Sequence, residues 1–355
     1  MIRAALVGTG FIAGVHAEAI ARATGVELAC VVERSRREPA WGDRHGVPTF
    51  RTLTEAAEAT DVDLAVVTVP TGAHVAVATE ALGLGLHVLL EKPADITLEK
   101  VDGLLEVERA SGVTVAVVSQ HRFDAGTALV RQRIAEGAFG RITSGLASTA
   151  WWRPQAYFDE SDWRGTWRHD GGGAVINQGI HALDLLVHLL GRPTEVFAWA
   201  ATLAHAIEVE DTAVGVVRFE NGTLGMLHAT TAANPGLSVT LGVMGTRGSA
   251  LLENHQLRYL HHGEGHDDPR LREGSLTITN QVDELPPDLR EAVQAEEPLG
   301  VGHARQYEAM VDALEAWKAG ERGVRPPVSL ADHRVSLALV LGLYESARTG
   351  LPVSL

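Results

Sequence analysis

Residues 1–14 read MIRAALVGTGFIAG, a short apolar run that ends on Gly8, Thr9 and Gly10 and continues into Phe11, Ile12 and Ala13. The spacing is G-x-G-x-x-A placed directly after a strand-like segment and at the start of a helical pattern. In that pattern one glycine makes the turn, the next lets a diphosphate approach the backbone, and the small third residue lets helix and strand pack closely. Backbone N–H groups and the helix dipole then hold the anion. An acid, Glu33, stands at the end of the second apolar run, where it can accept the ribose hydroxyls of a dinucleotide. The motif in this setting predicts a dinucleotide site formed by Gly8, Gly10, Phe11, Ile12, Ala13 and Glu33. The competing reading is a glycine turn between packed elements.

Working outward, short and nearly continuous apolar runs occur at residues 4–7, 28–32, 64–69, 88–90 and 113–118. Strands of a parallel sheet buried on both faces read this way. Helical patterns lie between them at 14–23, 54–59, 73–83 and 98–111, so residues 1–122 predict a doubly wound α/β Rossmann domain. After residue 122 the pattern changes. A helix at 128–136 and a strand at 142–150 precede an aromatic segment and the stretch DGGGAVINQGIHALDLL (170–186). Extended segments follow without helices between them, at 195–203, 212–220, 223–231, 237–244 and 250–253, and two helices at 303–319 and 330–349 end the pattern. Residues 123–355 therefore predict an α+β domain with a mostly antiparallel sheet.

The 355 residues suit two domains, and 45% hydrophobic content is enough for sizeable cores. A net charge of −15 repels phosphate backbones and argues against a nucleic-acid role. No apolar stretch approaches a membrane span, and the N-terminal run is too short for a signal peptide, so no membrane partner and a cytoplasmic location are expected. Cys30 is the single cysteine, which excludes an intrachain disulfide and a thiolate metal cluster.

Glu33 would repel a 2′-phosphate and points to NAD. The Arg34-Ser35-Arg36-Arg37 run that follows could hold that phosphate, which keeps NADP open beside a solvated helix start. Glu91-Lys92-Pro93 follows the strand-like HVLL at the carboxyl edge of the predicted sheet, where ligands of this fold bind. Position alone leaves Lys92 open between a site lysine and a surface ion pair. In the 170–186 stretch, Asn177 and His181 lie four residues apart on one helical face and can both reach one substrate ring. Oxidising a secondary alcohol needs a base for the hydroxyl proton while hydride leaves for a nicotinamide, and a neutral imidazole with a pKa of about 6.5 suits that exchange. An ammonium nearby would stabilise a developing alkoxide. Asp184, three residues beyond His181, reads either as orienting it or as a helix-surface contact. A packed histidine is the plain alternative for His181.

These motifs, with Thr68–His74, Trp163-Arg164-Gly165-Thr166-Trp167 and Tyr344–Gly350 in the same order, resemble the glucose–fructose oxidoreductase / inositol dehydrogenase / rhizopine-catabolism (Gfo/Idh/MocA) family along essentially the whole chain. The resemblance implies NAD(P)-dependent interconversion of a ring hydroxyl and a ketone on a sugar, sugar nucleotide or cyclitol. It also implies a large open-faced sheet in the second domain, used in a homodimer or homotetramer. It makes Lys92 the catalytic lysine and His181 the acid/base, with position 177 contacting substrate. Many members carry Asp at that position. Asn177 removes that carboxylate partner for His181, and the NQGIH variant is similar to the branch acting on UDP-N-acetyl-sugars and their uronic acids.

The resemblance further implies that Pro70, His74, Glu91 and Lys92 border the cofactor, with His74 capping or packing near the adenosine side rather than doing chemistry. Arg34 joins them, while Arg122, Trp163 and Arg164 contact its nicotinamide half, with a structural Trp/Arg stack as the alternative. Tyr157, with Trp151 and Trp152, is either a sugar-stacking wall or packing. His303 and Tyr307 share a helix face and are expected to line the substrate pocket. His16 reads as structural. His261, His262, His266, Asp267 and Asp268 fit no standard ligand spacing, so no metal is expected. Two rival functions keep the same residues: a glycosidase or dehydratase that uses NAD transiently, and a sugar or dinucleotide sensor without catalysis.

Overall fold

The apolar runs of the first third pair as a six-stranded sheet in the computed structural model, which describes residues 1–35, 41–160, 164–263, 280–321 and 324–355. Its strands are β1 (Ile2–Val7), β2 (Val26–Val32), β3 (Thr49–Phe50), β4 (Leu64–Val67), β5 (His87–Leu90) and β6 (Val115–Val117). All pair in parallel, in the order β3-β2-β1-β4-β5-β6. The chain winds outward from β1 in both directions, which puts the topological switch point beside the carboxyl end of β1. The crossover helices are α1 (Phe11–Arg22), α2 (Leu53–Ala59), α3 (His74–Gly83) and α4 (Leu98–Ser111). A capping box at Thr52 and Glu55 sets the start of α2.

Chain contacts define two units: Met1–Gln120 with Glu297–Arg334, and His121–Glu296 with Val335–Leu355. The helix Val301–Lys318, expected in the second domain, thus belongs to the first unit. The reason is its apolar face: Tyr307, Met310 and Leu314 pack with Ile2, Ala4, Leu6, Ala17 and Ile20 in one buried cluster. Each fully buried side chain of this size contributes roughly 2 kcal/mol, which outweighs sequence order.

The second unit carries α5 (Ala125–Ala135), β7 (Ile142–Ala150), α6 (Gln155–Asp159), α7 (Trp167–Asp170) and α8 (Ile180–Leu190). Strands β8 (Pro193–Ala201), β9 (Thr212–Phe219), β10 (Leu224–Thr230), β11 (Val239–Gly245), β12 (Gly248–Glu253), β13 (Gln256–His262) and β14 (Val353–Ser354) complete it. The eight strands run in the order β13-β12-β11-β7-β10-β9-β8-β14. β7 and β10 pair in parallel and every other neighbouring pair is antiparallel. α8 lays Leu183, Leu186 and Leu190, all nearly fully buried, over this core. Trp199, Val214, Val216, Leu224 and Met226 are exposed on β8, β9 and β10, and the register sets Trp199 opposite Val214 and Val216 opposite Met226. They form one apolar face. Among the described residues no helix is long and apolar enough to cross a membrane.

Candidate active site

Gly8 turns with φ +103°, and a Cβ there would stand 3.0 Å from the Thr68 carbonyl group, so only glycine fits. Gly10 precedes α1 as its N-cap, without a side-chain cap, and a Cβ on it would meet nothing within 4 Å. Open space before uncapped helical N–H groups is what a diphosphate requires. Ala13 is fully buried, Ile12 half-buried, and Phe11 exposed on the first turn. Beside this turn lies a cavity of about 350 Å³ lined by Gly8, Thr9, Glu33, Arg34, Ser35, Arg51, Pro70 and Val77, among others. Glu33 is buried in its wall, and the Thr9 hydroxyl donates to Glu33 Oε1 at 3.0 Å. Thr9 is thus more than a spacer between the two glycines, and Arg51 brings a second guanidinium that sequence order does not place near Arg34.

Glu91, Lys92 and Pro93 follow β5, two strands from β1 on the same sheet edge and hence about 10 Å from the glycine turn. The Lys92–Pro93 bond is cis. Glu91 is buried beneath the turn, where His16 reaches its Oε1 through Nε2 at 3.0 Å and the Tyr307 hydroxyl through Nδ1 at 2.7 Å. Burial pushes the Glu91 carboxyl up. The His16 hydrogen bond and charge, with Lys92 and His303 nearby, outweigh it and hold the group at about 2. Its Oε2 accepts the Lys92 N–H at 2.9 Å, which pins the backbone of the half-buried Lys92. His303, expected on the substrate pocket, is 3% exposed and joins this network with Nε2 4.0 Å from Glu91 Oε1. His74 is equally buried: its ring nitrogens reach the carbonyl oxygens of Pro93 and Val69, both at 2.8 Å, and burial holds its pKa below the usual histidine value. It ties the loop after β4 to the Lys92 turn and does not line the cavity.

In the second unit, Gly171–Gly173 lead into a π-helical turn, Val175–Gly179, before α8 begins. Glu210 explains the glycines. Its carboxylate accepts from the N–H groups of Gly173 and Val175 (each 2.9 Å) and from the Tyr344 hydroxyl (2.9 Å), and Tyr344 Oη accepts the Ile176 N–H at 3.2 Å. A Cβ at Gly173 would overlap the Glu210 carbonyl oxygen, and one at Gly172 would overlap the Tyr344 hydroxyl. Burial raises the Glu210 pKa against these hydrogen bonds. The clasp holds Asn177 half-buried, with its side-chain amide donating to the Gly172 carbonyl at 3.3 Å. Asn177, Gln178, Tyr157, Arg164 and Asp170 line a small cavity of about 50 Å³.

His181 is half-buried at the start of α8 and meets His121 edge-on, with ring centroids 5.5 Å apart. His121 in turn stacks flat on His255 at 3.5 Å and binds Asp124 Oδ2 through Nδ1 at 2.8 Å. Burial, then His121, hold His255 at a pKa of about 4 against the pull of Asp124. Asp184 is buried, not a helix-surface residue: it accepts Arg122 Nε (2.7 Å) and Nη2 (2.6 Å) and the Ser336 hydroxyl (2.7 Å). Arg122 therefore carries a bidentate ion pair where a cofactor contact was expected. Arg164 donates to the Tyr157 carbonyl at 2.9 Å and Glu160 at 3.1 Å, with its guanidinium 4.4 Å from the Tyr157 ring centroid. His261 and His262 end β13 where a loop was expected. Trp163, Arg36, Arg37, His266, Asp267 and Asp268 lie outside the described residues.

Residues 2–119 match the oxidoreductase family, NAD-binding Rossmann fold, and residues 127–251 match the GFO/IDH/MocA C-terminal domain. The chain belongs to the Gfo/Idh/MocA family. It is a dehydrogenase or reductase whose first unit is an NAD-binding Rossmann domain. The WlbA dehydrogenase from Bordetella pertussis, solved in complex with NADH and UDP-GlcNAcA, is 31% identical, with 100% of this chain and 97% of that one covered and a TM-score of 0.82. The 1,5-anhydro-D-fructose reductase of Ensifer adhaerens is 27% identical over 99% of this chain and 97% of its own length. The D-glucoside 3-dehydrogenase of Escherichia coli is 26% identical over 100% and 97%.

Proposed function

We propose that the protein oxidises a ring hydroxyl of a sugar or nucleotide-linked sugar to a ketone, or runs the reverse, with NAD preferred over NADP. The observation that carries this reading is the Glu91-anchored Lys92 turn, set two strands from the glycine turn on one sheet edge. The names of the relatives support the substrate class, since each acts on or binds a sugar derivative. When bound, the nicotinamide accepts or returns hydride. The chain handles the proton and the oxygen. The Lys92 ammonium polarises the reacting hydroxyl, and His181 takes its proton as the carbon–oxygen double bond forms. Asn177 offers a neutral amide to a neighbouring hydroxyl, and Tyr157 forms a wall for the ring. Glu33, fixed by Thr9, accepts the ribose hydroxyls and repels a 2′-phosphate. The apolar face of β8–β10 supports a homodimer or homotetramer, which sedimentation would detect.

The test is NADH formation at its absorption band with free sugars and nucleotide sugars, for the native protein and for Lys92→Met and His181→Ala. Each variant should lose at least about a hundredfold in kcat while NAD binding persists. Turnover unchanged in both would sink the assigned roles, and a preference for NADP would overturn the use of Glu33.

A further inference from the structure

Arg153 stands where β7 leaves the sheet, in the run Trp151-Trp152-Arg153-Pro154. Its backbone is fixed on both sides: the N–H donates to the Thr231 carbonyl at 2.9 Å, and its own carbonyl accepts from His205 Nε2 at 2.8 Å. The guanidinium carbon lies 5.2 Å from the Trp151 ring centroid and 4.9 Å from that of Tyr157. Its Nε is buried without a hydrogen-bond partner. Among the described residues no carboxylate forms an ion pair with it, whereas Arg122 is matched by Asp184 and Arg164 by Glu160. A buried guanidinium N–H left without a partner costs free energy, and the half-exposed fork of Arg153 suits a carboxylate or phosphate in a bidentate contact.

The location gives that oxyanion a source. Tyr157, over which Arg153 lies, lines the cavity that Asn177 and Gln178 also line. Arg164 shares the same ring, but its Nη1 is taken by the Tyr157 carbonyl and Glu160. We propose that Arg153 is the residue that recognises an anionic group on the substrate, a carboxylate or a phosphate carried by the sugar. The inference rests on the sugar-oxidoreductase reading above and narrows its substrate class. The ring packs on Tyr157, Asn177 bonds a hydroxyl, and Arg153 fixes the charged end.

Direct binding tests it without turnover. Glucose, glucuronate, UDP-glucose and UDP-glucuronate are titrated calorimetrically into the NAD-loaded protein and into Arg153→Met and Arg153→Lys. In the native protein at least one anionic probe should bind ten times more tightly than glucose or better. Arg153→Met should lose about tenfold or more on that probe with glucose unchanged, and Arg153→Lys should recover part of the loss by restoring charge without the fork. Loss confined to the two glucuronates assigns a carboxylate, and loss on both UDP sugars assigns the diphosphate. The proposal is overturned if Arg153→Met binds all four probes as the native protein does, or loses glucose as much as the anions. It is equally overturned if the native protein shows no preference for charge or binds none of the four. Selective binding without NADH formation would instead sink the proposed ring-hydroxyl oxidation of these sugars and leave the anion site standing.

Discussion

A Cβ added at Gly10 would meet nothing within 4 Å, whereas one added at Gly173 would run into the backbone oxygen of Glu210. Both glycines precede a helical segment whose first N–H groups need partners. At the first turn those groups are left for a ligand. At the second they are taken by the protein itself, through the Glu210 carboxylate and the Tyr344 hydroxyl. Glycine next to a helix start thus marks close backbone approach, and only the surroundings tell whether the approaching group is a cofactor or a buried carboxylate.

Alanine at the two positions gives the largest contrast. Gly173→Ala should cost about 3 kcal/mol or more in urea unfolding, because a backbone oxygen cannot move aside as a side chain can. Gly10→Ala should leave stability within about 0.5 kcal/mol yet weaken NAD binding in a fluorescence titration. A stable Gly173→Ala protein would erase the distinction. Tyr344→Phe comes next. It removes the donor to Glu210 and the acceptor of the Ile176 N–H, and should lower stability by about 1–3 kcal/mol with NAD affinity retained.

The smallest effect separates the two buried glutamates by pH. Glu91 is held at about 2, below its ordinary 4.5, so its contribution is present above pH 4.5 and fades as pH falls towards 2. Glu210 is raised, so its contribution is complete below pH 4.5 and declines as pH rises through its own pKa. Glu91→Gln should therefore lose stability at neutral pH and little near pH 2, while Glu210→Gln should compare better with the native protein as pH rises. Parallel slopes for the two variants in pH-dependent unfolding would contradict the opposite shifts.

The first glycine turn was legible because everything that defines it is local. Strand, turn, helix and Glu33 fall within one strand–helix–strand unit, and strands buried on both faces announce themselves as continuous apolar runs. The second turn was legible only as a pattern. Glu210 and Tyr344, which give it meaning, are remote in sequence from the glycines, and Tyr344 stood in a recognisable motif without a role. Asp184 looked like a surface residue because its partners, Arg122 and Ser336, lie 62 and 152 positions away. The π turn and the two-residue strands β3 and β14 have no periodicity to read. Arg153 carried a visible cue, a cation beside two tryptophans and near a tyrosine, but only geometry separates an unmatched guanidinium from a matched one.

Tyr344 follows Glu210 by 134 residues. A growing chain therefore makes the glycine run and its acid long before the hydroxyl that locks them together. The hydrogen bonds around the Asn177 turn are thus complete only once residue 344 has been translated.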